Sequence, residues 1–257
     1  MMKKVSLVGS LILSTVLTGC QVSTIAGIGH DRKQLMIYSK EDTYRQSEAA
    51  YRKILDYAYS QNAVVTSTQV NRVAKRIINQ AEYFRADSVN WKWEVNTLKD
   101  NDINAFCLSG GKIGVLTGMI TRLKVTDDEL AAIIGHEVAH ALRDHGREKM
   151  SKKLISGLGV LAASSAGLGD IAVSGTSILG EYGYNLPGSR SLETEADLLG
   201  LELMVRAGYK PEAAVSFWQK VMATENSGIK VDFMSTHPAS QKRIDAIQAH
   251  IIKMNSK

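Results

Sequence analysis

The chain has 257 residues, of which 44% are hydrophobic and 22% are charged, and its formal net charge is +5. These values are ordinary for a globular protein, and the length accommodates one substantial hydrophobic core or two small ones. Removal of Lys3 and Lys4 with the N-terminal signal discussed below would leave a charge of +3. That excess is too small to indicate nucleic-acid binding, so we expect no nucleic-acid partner.

The first twenty residues have the pattern of a targeting signal. A short basic start is followed by an apolar stretch over 5–17, which is too short to span a bilayer. The letters LTGC at 17–20 resemble the bacterial lipobox, whose cysteine is joined to diacylglycerol and becomes the mature N-terminus. We therefore predict a signal peptide over 1–19 and lipid attachment at Cys20. The alternative is an uncleaved apolar helix with an incidental cysteine.

The residue after this cysteine bears on location. Gln21 stands where the familiar signal for retention in the inner membrane would be Asp, so the resemblance indicates the outer membrane, on its periplasmic face. Lipid on Cys20 would leave Cys107 as the only thiol, which permits no intramolecular disulfide. We expect Cys107 to be a buried small hydrophobic residue.

The rest of the chain reads as a tether over 20–40 followed by one domain over 41–257. The tether has two glycines and no clear period. Apolar residues at helical spacing and helix-ending Gly and Pro residues then predict helices over 41–59, 68–84, 191–207, 211–224 and 239–254.

Between the second and third of these helices the period changes to two. Trp91, Trp93 and Val95 alternate with polar residues, and apolar segments at 103–108 and 112–117 flank two consecutive glycines. This pattern predicts a small antiparallel sheet with a tight hairpin turn. The fold class is therefore α+β, mainly helical, with a small antiparallel sheet.

A capping box marks the start of another helix. Thr126 and Glu129 are spaced so that each side chain satisfies a free amide group at a helix N-terminus. Downstream, 152–184 is rich in Gly, Ala and Ser. We favour small helices and a mobile lid for this segment, with membrane contact as the alternative, because Asp170 and the many glycines disfavour a stable span.

The capped helix carries the motif H-E-x-x-H, with His136, Glu137 and His140 in its defined positions. Residues four apart lie one helical turn above each other, so both imidazoles can bind one tetrahedral zinc ion. Glu137 is rotated by about 100° from His136, which lets it reach a water molecule without being a ligand. The motif predicts a zinc peptidase with Glu137 as general base.

A catalytic zinc site normally has a third protein ligand. In a continuing helix His145 would lie about 900° past His136, half a turn out of phase, so we do not expect it to bind. Glu193 and Asp197 are four apart on a later helix, and we predict Glu193 as the third ligand and Asp197 as hydrogen-bond partner of a ligand histidine. Glu195 lies about 200° from Glu193 and is not expected to bind metal. An exposed acidic face is the alternative.

These segments together resemble the HtpX and CAAX prenyl protease family of zinc metallopeptidases, over about residues 45–250. The resemblance is closest to the bacterial periplasmic lipoprotein branch, which includes outer-membrane assembly proteases. The segments that carry it are Asn104-Ala105-Phe106, Gly111-Lys112-Ile113, Thr117-Gly118, His136 to His140, Ser189-Arg190, Glu193 to Asp197 and His237-Pro238.

The resemblance implies a gluzincin-like fold, one zinc ion held by His136, His140 and Glu193, and cleavage of misfolded or misassembled envelope proteins. It also implies that His237 approaches the metal, either as a reversible plug or as an oxyanion donor. From the residues alone, His237 is equally well a loop residue before a helix. A long helical-repeat extension of some relatives is missing, which puts a specialised role in outer-membrane assembly in doubt.

We expect the peptide substrate to add as a strand beside Asn104, Ala105 and Phe106, which favours unfolded substrates. Expected partners are therefore unfolded or misassembled envelope proteins, the membrane through the N-terminal lipid, and outer-membrane assembly machinery as a candidate. The alternative function is a zinc-stabilised chaperone or assembly factor that holds outer-membrane proteins without cutting them. The intact Glu137 disfavours this alternative.

Overall fold

A computed structural model describes residues 21–22, 32–154 and 190–256. The predicted lipidation of Cys20 and nearly all of the segment 152–184 therefore lie outside the described residues. None of the helices in the described ranges has both the length and the apolar character needed to cross a bilayer.

The helices match most of the predicted ones. In chain order they are α1 (Lys40–Ser60), α2 (Thr68–Ile78), α3 (Ala81–Phe84), α4 (Thr117–Thr121), α5 (Asp127–Leu142), α6 (described over 145–154), α7 (Arg190–Arg206), α8 (Glu212–Asn226), α9 (Phe233–Thr236) and α10 (Gln241–Asn255). The helix predicted over 68–84 is divided into α2 and α3 by a break at 79–80.

The strands are short. They are β1 (Gln21–Val22), β2 (Gln34–Leu35), β3 (Val64–Val65), β4 (Glu94–Leu98), β5 (Ala105–Leu108) and β6 (Lys112–Leu116), with β1 paired to β2. The other four form a sheet in the order β3-β4-β6-β5, which puts β5 at an edge.

The sheet is mixed, so the prediction of an antiparallel sheet was wrong for one pair. β3–β4 and β5–β6 are antiparallel, but β4 and β6 are parallel, with Glu94 opposite Lys112. The reason is that the β5–β6 hairpin folds back so that its second strand, and not its first, lies beside β4. The hairpin itself is confirmed, and Gly110 and Gly111 supply its positive φ angles of 82° and 84°.

Helix α5 lies at the centre of the main core. All of its residues from Glu129 to Leu142 are buried, and it packs against α2, α7, α8 and β5. A helix that is buried on all sides has no solvent-facing polar stripe, and the polar residues it does carry must find partners inside the protein. A smaller apolar cluster joins α1 to the other face of the sheet through Tyr51, Leu55, Leu98 and Leu108.

Helices α5 and α7 cross at two glycines. A Cβ atom added to Gly135 would lie 2.8 Å from the carbonyl oxygen of Gly200, and one added to Gly200 would lie 2.7 Å from the backbone nitrogen of His136. Any side chain would separate the helices. Their close approach brings the H-E-x-x-H turn of α5 opposite the first two turns of α7.

Candidate metal centre

The capping box at the start of α5 is confirmed. The Thr126 hydroxyl accepts a hydrogen bond from the Glu129 backbone nitrogen at 3.2 Å, and the Glu129 carboxylate accepts one from the Thr126 nitrogen at 2.9 Å. This arrangement sets where the helix begins and therefore which side chains share a face. His136 and His140 lie on one face, with ring centroids 4.6 Å apart.

Four buried side chains converge beside α5. One ligand atom from each of His136, His140, Glu193 and His237 lies within 4.8 Å of all the others. The Nε2 atoms of His136 and His140 are 3.0 Å apart, and Glu193 Oε2 is 3.4 Å from His136 Nε2. The structure thus brings together the three residues that the sequence pattern suggested as ligands. It also places His237 beside them, as the family resemblance implied.

The donor atoms fit a zinc ion. Three imidazoles and one carboxylate are the ligand types that zinc prefers, and four ligand atoms suit its tetrahedral geometry. Glu193 Oε1 is buried without a hydrogen-bond partner among the described residues. A buried carboxylate oxygen without a partner is costly, and a bound cation would satisfy it. The cluster is therefore a metal-binding site by its chemistry.

The charges of the cluster favour a cation. Burial alone would raise the pKa of Glu193, but the adjacent imidazoles of His140, His237 and His136 hold it well below its ordinary value. Burial also holds the pKa of His140 well below its ordinary value. Glu193 is therefore ionised at pH 7, which is the form that binds metal. Burial would lower the pKa of His136, but its hydrogen bonds with Asp197 and Glu193 outweigh that effect and raise the pKa to about 9, so a bound metal ion would replace a proton on that ring.

Asp197 orients the first ligand. Its Oδ1 lies 3.0 Å from His136 Nδ1, and Arg243 donates to both carboxylate oxygens at 2.6 and 2.7 Å. Burial would raise the pKa of Asp197, but Arg243 and His136 lower it, so the carboxylate is ionised and accepts from the ring. His136 therefore presents Nε2 to the metal. Arg243 is itself buried.

His237 directly follows the short helix α9. Its backbone nitrogen donates to the Phe233 carbonyl at 2.9 Å, and its ring lies 4.6 Å from the Phe233 ring. Nδ1 is 3.0 Å from Glu193 Oε2, and Nε2 is 3.3 Å from Glu137 Oε1. His237 is thus buried between the proposed base and the proposed third ligand, and it is not an exposed loop residue.

A cleft opens from the cluster toward the edge strand β5. Asn104, Ala105 and Phe106 line it on one side, with Glu137 and His140 on the other. The ring of Phe106 packs edge to face on Tyr51, at 6.3 Å between centroids, within the smaller apolar cluster. Cys107 is 5% exposed, as expected for a small hydrophobic residue, and burial raises its thiol pKa.

Two residues beside the cluster were given no role by the sequence. His145 lies outside the metal-binding cluster, but its Nδ1 is 2.8 Å from His140 Nδ1. The helix ends at Leu142, and Asp144 has a φ of 50°, so the assumption of a continuous helix was wrong. The conclusion drawn from it, that His145 is not a ligand, still agrees with the cluster. Lys149 lines the cleft, and burial lowers its pKa against the attraction of Glu193 and Glu137.

The helix with H-E-x-x-H, the crossing helix with Glu193 and the adjacent small sheet define a gluzincin-like metal centre. The chain belongs to Peptidase family M48, whose sequence profile matches residues 65–251.

Several curated proteins are similar. The mitochondrial metalloendopeptidase OMA1 of Schizosaccharomyces pombe is 35% identical over 224 residues, which are 85% of this chain and 64% of that protein. Metalloprotease LoiP of Escherichia coli is 29% identical over 255 residues, which are 96% of each chain. The beta-barrel assembly-enhancing protease of Escherichia coli is 25% identical over 193 residues, which are 71% of this chain and 38% of that protein.

The chain is shorter than most of these relatives. It spans 64%, 48% and 32% of the OMA1 proteins of Schizosaccharomyces pombe, Saccharomyces cerevisiae and Arabidopsis thaliana.

Proposed function

We propose that this protein is a zinc-dependent endopeptidase of the bacterial envelope that hydrolyses misfolded or misassembled envelope proteins. The observation that carries the proposal is the convergence of His136, His140 and Glu193 within 4.8 Å beside Glu137 and an open cleft. Membership of a peptidase family supports the reaction type.

Each ligand has a defined role. His136 and His140 would bind zinc through Nε2, and Glu193 through a carboxylate oxygen. When bound, zinc supplies the Lewis acidity that polarises a scissile carbonyl and lowers the pKa of water toward neutrality.

Glu137 is the proposed general base. Its Oε1 is buried, has no hydrogen-bond partner among the described residues and lies 3.3 Å from His237 Nε2, so it could accept from an attacking water once that ring has moved away. The carboxylate takes a proton from that water and passes it to the leaving amide nitrogen. Because Glu137 and His140 line the same cleft, the base and the metal ligands face one substrate.

The substrate would bind as an extended strand. Among the described strands β5 lies at the edge of its sheet, so one side of its backbone has no strand paired to it there. A peptide that adds to the Asn104–Phe106 side of β5 would pass in front of Glu137. Main-chain pairing of this kind requires an unfolded segment, which supports misfolded proteins as the substrate class. The ring of Phe106 is packed against Tyr51, so its backbone would make the contact.

His237 is proposed to plug the metal site at rest. Its Nδ1 is 3.2 Å from His136 Nε2, close enough for the imidazole to join the ligand set. An imidazole there would occupy the position that a substrate water needs. The same position near Glu137 supports a role as oxyanion donor once the plug is released.

The envelope location is supported by sequence. The lipobox at 17–20 favours a lipid anchor on Cys20, and Gln21 favours the outer membrane. The similarity to the beta-barrel assembly-enhancing protease of Escherichia coli supports outer-membrane assembly machinery as a candidate partner. Labelled palmitate should enter the full chain and not Cys20→Ala. Equal labelling of both would remove the lipid anchor from the proposal.

The deciding experiment compares the detergent-solubilised full chain with Glu137→Gln. We expect one zinc per chain in both proteins and casein cleavage that falls by about 100-fold or more in the variant, because only the proton transfer is removed. Equal turnover of the two proteins would exclude Glu137 as the base. A wild-type protein that binds zinc and unfolded protein without cutting would favour a chaperone instead.

A further inference from the structure

His145 lies between a metal ligand and a carboxylate. Its Nδ1 is 2.8 Å from His140 Nδ1, and its Nε2 is 2.9 Å from Glu195 Oε2. All three side chains are buried. The two ring nitrogens of His145 therefore face one partner each, and neither partner is solvent.

The proton positions follow from the chemistry of the ligand. If His140 offers Nε2 to the metal, its Nδ1 carries the proton and donates to Nδ1 of His145. The proton of His145 is then on Nε2 and is donated to Glu195. With the protons in these positions, each of the two short contacts of His145 joins one donor to one acceptor.

The two ligand histidines are thus held differently. His136 donates directly to the carboxylate of Asp197, as metal-bound histidines commonly do. His140 reaches its carboxylate, Glu195, only through the ring of His145. The ring of His145 must itself be kept from rotating, and Glu195 does this. The metal site therefore depends on the residues that hold Glu195.

Glu195 is held by a residue that precedes α1. Arg32 donates from Nε and Nη2 to Glu195 at 3.0 to 3.2 Å, and from Nη1 and Nη2 to Glu148 at 2.8 and 2.7 Å. Arg143 adds a bond to Glu195 at 2.8 Å. The side chains of Glu148 and Glu195 are 1% and 7% exposed, and that of Arg32 is 27% exposed. The guanidinium therefore bridges helices α6 and α7.

The segment around Arg32 is fastened along α6. Gln34 donates to the Arg143 carbonyl at 2.7 Å, Ile37 donates from its backbone to Ser151 at 3.0 Å, and the Tyr38 carbonyl accepts from Arg147 at 2.6 Å. These contacts fix the backbone near Arg32. Its guanidinium group is therefore held in one position instead of moving over the protein surface.

We propose that His145 is a positioning residue for the metal ligand His140, and that Arg32 positions His145 through Glu195. The proposal rests on the proposed function, because it takes His140 as a zinc ligand. In this proposal the segment before α1 contributes to metal binding although it does not contact the metal.

The first test measures zinc affinity by competition with a chromophoric chelator, for the full chain in detergent. His145→Phe removes both hydrogen bonds and should weaken zinc binding by about 10- to 100-fold, as is typical for loss of an outer partner of a ligand. His145→Gln offers one acceptor and one donor and should recover part of that loss. Cobalt-substituted protein should show a shifted visible spectrum in His145→Phe.

The second test compares Arg32→Ala with Lys220→Ala. Lys220 is 33% exposed and pairs with Glu129, which is 6% exposed, so the ion pair has similar exposure but lies away from His145. Arg32→Ala should weaken zinc binding several-fold, within the range for outer partners, and Lys220→Ala should not. An equal loss in both would mean that general stability, and not positioning, sets the affinity.

The outcomes separate this proposal from the peptidase itself. Zinc affinity of His145→Phe equal to that of the wild type, in a protein that cleaves casein, would overturn the positioning role alone. A wild type that binds zinc without cutting would overturn the peptidase alone. The metal-free forms of His145→Phe and Lys220→Ala are also compared by thermal unfolding. If their thermal midpoints fall by the same amount but only His145→Phe loses zinc affinity, the result supports positioning.

Discussion

The backbone of Gly200 lies directly against that of His136, because a Cβ atom added to Gly200 would be 2.7 Å from the His136 nitrogen. Helix α7, which carries Glu193 and Asp197, therefore approaches the metal-binding turn of α5 as closely as two backbones allow. The distance between the proposed ligands on the two helices depends on this contact.

Gly200→Ala should destabilise the protein. In an exposed helix the same change stabilises by about 1 kcal/mol, because alanine has the higher helix propensity. Here the added methyl meets backbone atoms of Gly135 and His136, and overpacking costs about 1 to 3 kcal/mol. Urea unfolding of the metal-free protein measures whether the substitution lowers or raises the free energy of unfolding. A more stable Gly200→Ala would show that the helices separate without cost.

The two glutamates of α7 should differ in metal binding. Glu193 is within 3.6 Å of His140 Nε2, whereas Glu195 contacts His145, Arg143 and Arg32. Glu193→Ala should therefore lose more affinity than the about 10- to 100-fold expected for an outer partner, and Glu195→Ala should stay within that range. Zinc content after dialysis and a chelator titration measure both. A Glu195→Ala protein without zinc beside a fully loaded Glu193→Ala would reverse the assignment.

Helical periodicity explains why most of the metal centre could be predicted from the sequence. Spacings of four put His136 beside His140 and Glu193 beside Asp197, and the capping box correctly predicted where α5 starts. The local glycine signal also predicted the β5–β6 hairpin. These features depend on residues close together in the chain.

Features that depend on distant segments were not predicted. His145 reaches His140 because the helix breaks at Asp144, and nothing in the apolar pattern marks that break. Arg32 meets Glu195 from 163 positions away in the chain, in a segment without periodicity. The parallel pairing of β4 with β6 likewise depends on how the hairpin folds back, which the alternation within each strand does not record.

Stability of the metal-free protein should fall in acid through Glu148 and Glu195. Burial would raise both pKa values, but hydrogen bonds from Arg32, and from Lys152 or His145, lower them from 4.5 to about 2. A folded-state pKa below the unfolded value stabilises the fold above pH 4.5, and this contribution is lost as the pH falls toward about 2.

Urea unfolding at several pH values measures this contribution. The difference between wild type and Arg32→Ala should be largest near pH 6 and should shrink as the carboxyl groups are protonated, because Arg32 then bridges neutral partners. Lys220→Ala serves as the control for an ion pair of similar exposure. A difference that grows on acidification would contradict the sign of both pKa shifts.

His237→Ala tests the plug. The imidazole lies 3.0 Å from Glu193 Oε2 and 3.3 Å from Glu137 Oε1, so it occupies space that a substrate and its attacking water need. If it joins the ligand set at rest, its removal frees a metal position, and basal casein cleavage should rise or stay the same. If it donates to the oxyanion, turnover should fall by about 100-fold or more.

We expect the first result, because one ligand atom from each of three imidazoles and one carboxylate lies within 4.8 Å of the others, and four is the number of ligands that a tetrahedral zinc ion takes. The plug also predicts a change in zinc exchange: with four protein ligands the metal leaves slowly, and His237→Ala should release zinc to a chelator faster than the wild type. An oxyanion donor that does not touch the metal would leave that release rate unchanged. Faster cleavage together with faster zinc release therefore identifies the plug, and slower cleavage with unchanged release would exclude it.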